Sequence, residues 1–185
     1  MSLRFAILSL LANDELSGYE LTRRFEHSVG YFWRARSQQI YPELARLEED
    51  GLIRGRTVEQ VGRPHKRLFR ISPEGRERLL AWVATPSPLT LVKDEFMVKV
   101  WCYGMLDLST AAAAMAEQRH QHEERLASYR AIEAGFERAD PLTMPGDYLG
   151  AYLTLQGGIA MEQSFVAWCE RVQTILERRG RVGQP

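Results

Sequence analysis

At Gly51 the spacing of apolar residues along the chain changes, and that change restricts the possible folds more than any other feature. Upstream, SQQIYPELARLEED sets Ile40, Tyr41, Leu44 and Leu47 on one stripe at the i, i+3, i+4 spacing of an amphipathic helix. Gln38, Gln39, Glu43, Arg46 and Glu49 take its other face, and Gly51 after Asp50 is a helix-ending signal. Pro42 lies a little deep for a first turn, which predicts an irregular helix start. Downstream, LIRGRTVEQ and KRLFRIS read as two strands, with Leu52, Ile53, Val58, Leu68, Phe69 and Ile71 as candidate inward residues. VGRPHK between them supplies the glycine and proline of a tight turn.

Two helices precede this unit. LRFAILSLLAN repeats apolar residues at Leu3, Ala6, Ile7, Leu10 and Leu11. In SGYELTRRFEHSVG, Ser17 and Glu20 form an S-x-x-E capping box, Leu21, Phe25 and Val29 share a face, and Gly30 closes the helix. After the hairpin, Ser72-Pro73-Glu74 opens a fourth helix with serine as cap and proline in the first turn. Pro86 and Pro88 mark a boundary, which predicts one domain over residues 1–86 and a second over 90–180.

The second domain reads as all helical. DEFMVKVWCYGML is apolar on nearly every side, which predicts burial between two neighbours. A long helix from Ser109 is broken at Asp140-Pro141 and Met144-Pro145-Gly146, and a last helix runs from about Asp147 to Arg179. On it Met161, Phe165, Trp168, Val172 and Ile175 have the a/d spacing of a coiled-coil seam, and Val166, Cys169 and Leu176 make a second stripe. Two seams on one helix require more than one partner, so the first seam is a candidate homodimer contact. Gly157-Gly158 within that helix implies a kink or a close backbone approach.

Charge is balanced overall, 24 cations against 24 acids, but not locally. Residues 51–78 hold eight Lys+Arg against three acids, and Arg63, Lys66, Arg67 and Arg70 crowd the turn. A globally basic nucleic-acid binder is excluded; a local basic surface is not. Helix, helix, helix, strand, basic turn, strand is the order of a winged helix-turn-helix, whose third helix enters the major groove of DNA. Duplex DNA carries one charge per roughly 1.7 Å of axis, so phosphates relieve the repulsion within such a turn. By itself the turn would also fit a solvated hairpin whose charges deter edge pairing.

The run SQQIYPELARLEEDGLIRGRTVEQVGRPHKRLFRISPEGRERL resembles the PadR family of bacterial transcriptional regulators. The resemblance rests on Ser37, Tyr41, Pro42, Leu44, Leu47, Glu48, Gly51, Leu52, Ile53, Gly62, Arg63, Pro64, Ser72, Pro73 and Gly75, and on LSGYEL at 16–21. It covers about residues 3–84. The chain departs from the family at Leu68-Phe69, where paired tyrosines are usual. The helical second half is similar to that of the longer subgroup. What the resemblance implies is a mainly α protein: a winged helix-turn-helix with a two-stranded wing, then an all-helical dimerisation domain. It also implies a homodimeric repressor acting on a palindromic operator and released by a small-molecule signal.

Within that frame Gln38 and Gln39 are candidates for reading base edges, since glutamine can pair bidentately with adenine. Ser37 and Tyr41, beside Pro42, are candidates for phosphate contact, Tyr41 being also part of the apolar stripe. Arg46 fits either a DNA contact or an ion pair with Glu43, Glu49 or Asp50. Arg63, Pro64, His65, Lys66 and Arg67 are candidate wing contacts, with Arg63 suited to a narrow minor groove. Trp101, Tyr103, Phe165 and Trp168 are candidates for an aromatic pocket for a small aromatic or cationic effector, against plain core packing.

His120, His122, Glu123 and Glu124 have no third ligand nearby and read as a solvated helix face, so no metal is expected. No nucleophile elbow, phosphate loop or dinucleotide fingerprint occurs, and neither cofactor nor catalysis is expected. The rival readings are a ligand sensor and a protein-interaction module on the same scaffold. Cys102 and Cys169 read as buried reduced thiols. The longest nearly apolar run, 96–106, falls short of the ~20 residues a membrane span needs. With no signal peptide visible, a cytoplasmic protein is expected.

Overall fold

The structure is a computed structural model that describes residues 2–26, 37–59, 65–88, 94–136 and 140–182. The chain divides into two compact units, Met1–Thr90 and Leu91–Pro185. The first contains α1 (Ser2–Leu10), β1 (Leu16–Ser17), α2 (Gly18–Glu26), α3 (Ser37–Glu49), β2 (Ile53–Val58), β3 (Lys66–Ile71) and α4 (Pro73–Val83). The second contains α5 (Glu95–Trp101), α6 (Leu108–Glu133) and α7 (Gly146–Val182), with 3-10 turns at Tyr103–Met105 and Ala134–Phe136.

In the first unit the predicted stripes converge on one core. Ile7, Leu8 and Leu11 of α1 and its end, Leu21 and Phe25 of α2, and Ile40, Leu44 and Leu47 of α3 are buried together with Leu52, Ile53, Phe69 and Leu79. Val29 and Gly30, assigned to the end of the second helix, lie outside the described residues. The capping box forms as predicted: the Ser17 amide donates to Glu20 Oε2 at 2.9 Å, and the Glu20 amide donates to Ser17 Oγ at 3.2 Å. Gly51 has φ +73°, a left-handed conformation that suits glycine at a helix end. Ser72 caps α4 by accepting from the Gly75 amide, while its hydroxyl donates to the Gly51 carbonyl. A Cβ at Gly75 would lie 2.0 Å from the Leu52 carbonyl oxygen, so the start of α4 is pressed onto the end of the preceding turn.

Two local expectations change. The sheet has three antiparallel strands in the order β1-β3-β2, because Leu16 and Ser17 pair with Phe69 and Leu68. A two-residue strand has no period that a sequence pattern can reveal. Helix α3 accepts Pro42 within its span, starting at Ser37, so the proline does not delay the helix; it removes the donor that would serve the Gln38 carbonyl.

In the second unit α6 and α7 run antiparallel, joined by contacts from Leu108–Gly180 at one end to Tyr129–Gly158 at the other. Asp107 caps α6 by accepting from the Thr110 amide, and hydroxyl bonds from Ser109 and Thr110 help hold its pKa at about 2. Tyr103, Ala111, Met115, Cys169 and Leu176 form the core. Helix α7 is unbroken for 37 residues, and only the second glycine of the pair serves close approach: a Cβ at Gly158 would press on the Tyr129 ring at 3.0 Å, whereas one at Gly157 would meet nothing within 4 Å.

Helix α5 is not buried on two sides as expected. Phe96 and Val100 pack on the core, but Met97, Val98 and Trp101 are exposed, Trp101 at 90%. A seven-residue helix offers one face to the α6/α7 pair, and within one chain the described residues leave its other face uncovered. Cys102, at the solvent side of its C-terminus, is exposed rather than buried; Cys169 is buried as expected. No described helix is long and apolar enough to cross a membrane.

Candidate nucleic-acid interface

Helix α3 is seated by Ile40, Leu44 and Leu47, and that seating turns Gln38, Gln39 and Arg46 outward. Ser37 begins the helix, and Pro42 is exposed. Tyr41 is not part of the buried stripe. It is 52% exposed, and its ring crosses the start of α2, where a Cβ at Gly18 would meet Tyr41 Cε1 at 2.6 Å. Helical spacing put Tyr41 at the stripe's edge; the missing side chain at Gly18 lets the ring lie over the neighbouring helix instead. Of the two sequence alternatives for Arg46 the ion pair is formed, with Nη1 3.5 Å from Glu43 Oε2, while its side chain stays 70% exposed. Glu43 is also held by Arg4, which reaches Asp50 as well.

Beside α3 stands the hairpin β2–β3, registered from Ile53 opposite Ile71 to Val58 opposite Lys66. Arg63 and Pro64 lie outside the described residues. His65 is exposed. Lys66 and Arg67 are both engaged within the unit. Lys66 Nζ lies 2.7 Å from Glu20 Oε1, and Arg67 Nη2 lies 2.8 Å from both oxygens of Glu48. The Arg67 guanidinium also lies over the Phe69 ring at 5.6 Å. On the outer face Arg56 pairs with Glu15, and the Arg56 hydrogen bond lowers the Glu15 pKa.

Sequence patterns named Lys66, Arg67, Glu20 and Glu48, but not which cation pairs with which acid. Glu15, Glu20 and Glu48 are separated from their partners by 41, 46 and 19 residues, distances at which no local spacing rule operates. Hydrogen bonds from Lys66 and then from Ser17 hold the Glu20 pKa down at about 2, so the carboxylate serves cap and hairpin together. Arg70, one of the cations crowding the turn, faces Arg54 across the two strands, and both are exposed.

In the second unit the predicted aromatic set does not share one environment. Tyr103 is buried in the core, Trp101 is exposed, and Trp168 packs edge-on against Phe96 and Phe165. The predicted seam on α7 also splits. Phe165, Trp168 and Val172 are half-buried within the chain, whereas Met161 and Ile175 are 63% and 62% exposed. His122 corrects the expected solvated face. It is buried, stacked on Phe165 at 4.5 Å, with Nδ1 against Glu162, which also accepts from Arg125 at 2.8 Å. The signal was present: His122 is seven residues from both Met115 and Tyr129, the core-facing register of α6. His120 is exposed as expected.

A helix with a sealed inner face and polar outer face, held by side-chain bonds beside a basic hairpin, defines a winged helix-turn-helix protein. Residues 7–81 match the family described as "Transcriptional regulator PadR-like family", and residues 92–177 match "Virulence activator alpha C-term". A probable transcriptional regulator of Mycobacterium tuberculosis is 38% identical across 97% of this chain and 100% of its own. The negative transcriptional regulator PadR of Bacillus subtilis is 32% identical, covering 95% and 98%. The crystal structure of that PadR in complex with operator DNA superposes with a TM-score of 0.87 at 30% identity, covering 95% of this chain and 99% of the other. Its structure in complex with p-coumaric acid superposes at 0.83 with the same identity, covering 96% and 99%. The chain belongs to the PadR-like family of transcriptional regulators.

Proposed function

We propose that this chain is a sequence-specific DNA-binding repressor that acts as a homodimer on a palindromic operator. The observation that carries the proposal is the outward exposure of Gln38 and Gln39 at the start of a helix sealed into the core on its other side. In this reading α3 enters the major groove, Gln38 and Gln39 read base edges, and Ser37, Tyr41 and Pro42 lie along the backbone. Arg46 reaches a phosphate from the helix's outer face. Arg63, Pro64 and His65 form the wing contact, with Lys66 and Arg67 at its base. The solved complex of the related PadR with operator DNA supports this assignment, and that relative's description as a negative regulator supports repression.

The dimer assignment rests on α7. Leu153, Met161 and Ile175 are exposed on the side of the helix opposite Ile159, Cys169 and Leu176. A two-fold dimer of a helix-turn-helix protein presents its two recognition helices to half-sites about 34 Å apart. Selecting duplexes from a random-sequence library with the purified protein tests the proposal. A palindromic consensus is expected, and no enrichment over the input pool would sink it.

A small aromatic effector that releases DNA is the second part of the proposal, supported by the p-coumaric acid complex of the related PadR. Phe165 and Trp168, half-buried beside the His122–Glu162 pair, are the candidate reporters. Quenching of tryptophan emission by a phenolic acid, with loss of the selected duplex, is the expected result. A ligand-sensing or protein-interaction module with weak DNA binding is the alternative. Micromolar or weaker binding to every selected duplex at low salt would favour it.

A further inference from the structure

Among the described cations of the hairpin, Arg67 sits in surroundings that hold it from several sides. Its Nη2 lies 2.8 Å from both Glu48 oxygens, and its guanidinium covers the ring of buried Phe69. Glu48 Oε1 accepts as well from the Gly55 amide at 2.9 Å. One carboxylate near the end of α3 therefore holds both strands of the hairpin, β2 through a backbone donor and β3 through a guanidinium. Gly55 makes room for it. A Cβ there would lie 2.5 Å from Glu48 Oε1, 2.7 Å from Arg67 Nε and 3.1 Å from the Phe69 ring.

We infer that Glu48 is a positioning residue for DNA binding: with Gly55 and Arg67 it forms a clasp that fixes the hairpin's angle to α3. Arg67 then belongs to the clasp, not to the phosphate contacts. The inference rests on the DNA-binding reading above and revises one residue of it. The physical reason is charge accounting. A guanidinium already neutralised by a carboxylate at 2.8 Å holds little condensed counterion atmosphere on DNA to displace. A single surface ion pair of this kind adds little to stability. Its effect falls on orientation, because α3 and the hairpin must meet the same duplex at one relative angle.

The experiment compares wild type, Glu48→Gln, Arg67→Gln, Gly55→Ala and the double variant Glu48→Gln/Arg67→Gln. Each is titrated with one duplex selected by the wild-type protein, at several salt concentrations well below its melting temperature. Each single variant is expected to bind about tenfold more weakly, with the double variant no worse than either single. The slope of log affinity against log salt is expected to stay at the wild-type value. Gly55→Ala is the informative case, because it displaces the carboxylate and the guanidinium without changing any charge. If it fails to fold, Glu48→Gln and Arg67→Gln still decide the matter.

A phosphate role for Arg67 predicts a different pattern. Arg67→Gln would lower the salt slope by about one, and Glu48→Gln would tighten binding by freeing a cation. Either result overturns the clasp, as does unchanged affinity in Glu48→Gln. Equal affinity per folded molecule with only a lowered melting temperature overturns it too. If the wild-type protein binds no duplex at all, the DNA-binding reading fails and the clasp with it. Wild-type binding matched by the variants removes the clasp alone.

Discussion

Lys66 on β3 and Glu20 on α2 form an ion pair of 2.7 Å, and the same glutamate closes the cap of its own helix through Ser17. The hairpin and the second helix are thus tied through one carboxylate whose pKa falls from 4.5 to about 2. Its stabilisation is complete above about pH 4.5 and is lost as pH falls through about 2. Glu20→Gln is expected to be less stable than wild type at neutral pH, with the gap closing across that acid window. The side chain is 43% exposed, so solvent screening keeps the gap modest. Chemical denaturation of both proteins as a function of pH checks this; a gap that persists at the acid end would contradict it.

Gly75→Ala forces a methyl to within 2.0 Å of the Leu52 carbonyl oxygen, which is backbone and cannot swing aside. A loss of about 3 kcal/mol is expected. Urea denaturation monitored by circular dichroism measures it, and a neutral effect would mean that α4 can slide off the turn at Gly51–Leu52.

Glu162 is 7% exposed and joins His122, which is 4% exposed, to Arg125. Removing one partner of a buried pair leaves the other uncompensated, so Glu162→Ala should cost about 3 kcal/mol. Replacing both, His122→Leu with Glu162→Leu, should recover most of that loss, since each site lies on an apolar seam. Thermal melts of wild type and these two variants decide it; a double variant weaker than Glu162→Ala would show that the pair does more than fill the seam.

Gln38→Ala is expected to relax preference at one base position per half-site by about 1–3 kcal/mol. Because glutamine neutralises no phosphate, the salt dependence of binding should not move. Repeating the duplex selection with the variant reads the first effect, and a salt titration the second. An unaltered consensus would remove Gln38 from base recognition.

Met161→Glu and Ile175→Glu place charges on the exposed side of α7. Sedimentation equilibrium should report a monomer for the double variant and a dimer for wild type. Helical content should be retained, because both residues are largely exposed within their own chain.

Much of this architecture was legible in the residue order, for a physical reason. Caps and periods act within a few residues: Ser17 with Glu20, Ser72 with Gly75, and the Ile40, Leu44, Leu47 stripe all sit within a turn or two of their partners. Those rules predicted α2, α3, α4, the hairpin and the outward turn of Gln38. Tertiary structure alone decided which charge meets which. Glu20, Glu48 and His122 each find partners across 19 to 46 residues of chain, where only packing of whole elements sets the distance. It likewise decided that β1 joins the sheet, that Tyr41 leaves the core to lie over Gly18, and that α5 keeps an open face. Hydrogen bonds and ion pairs fade within a few ångströms, so their partners are known only once the helices and strands have been brought together.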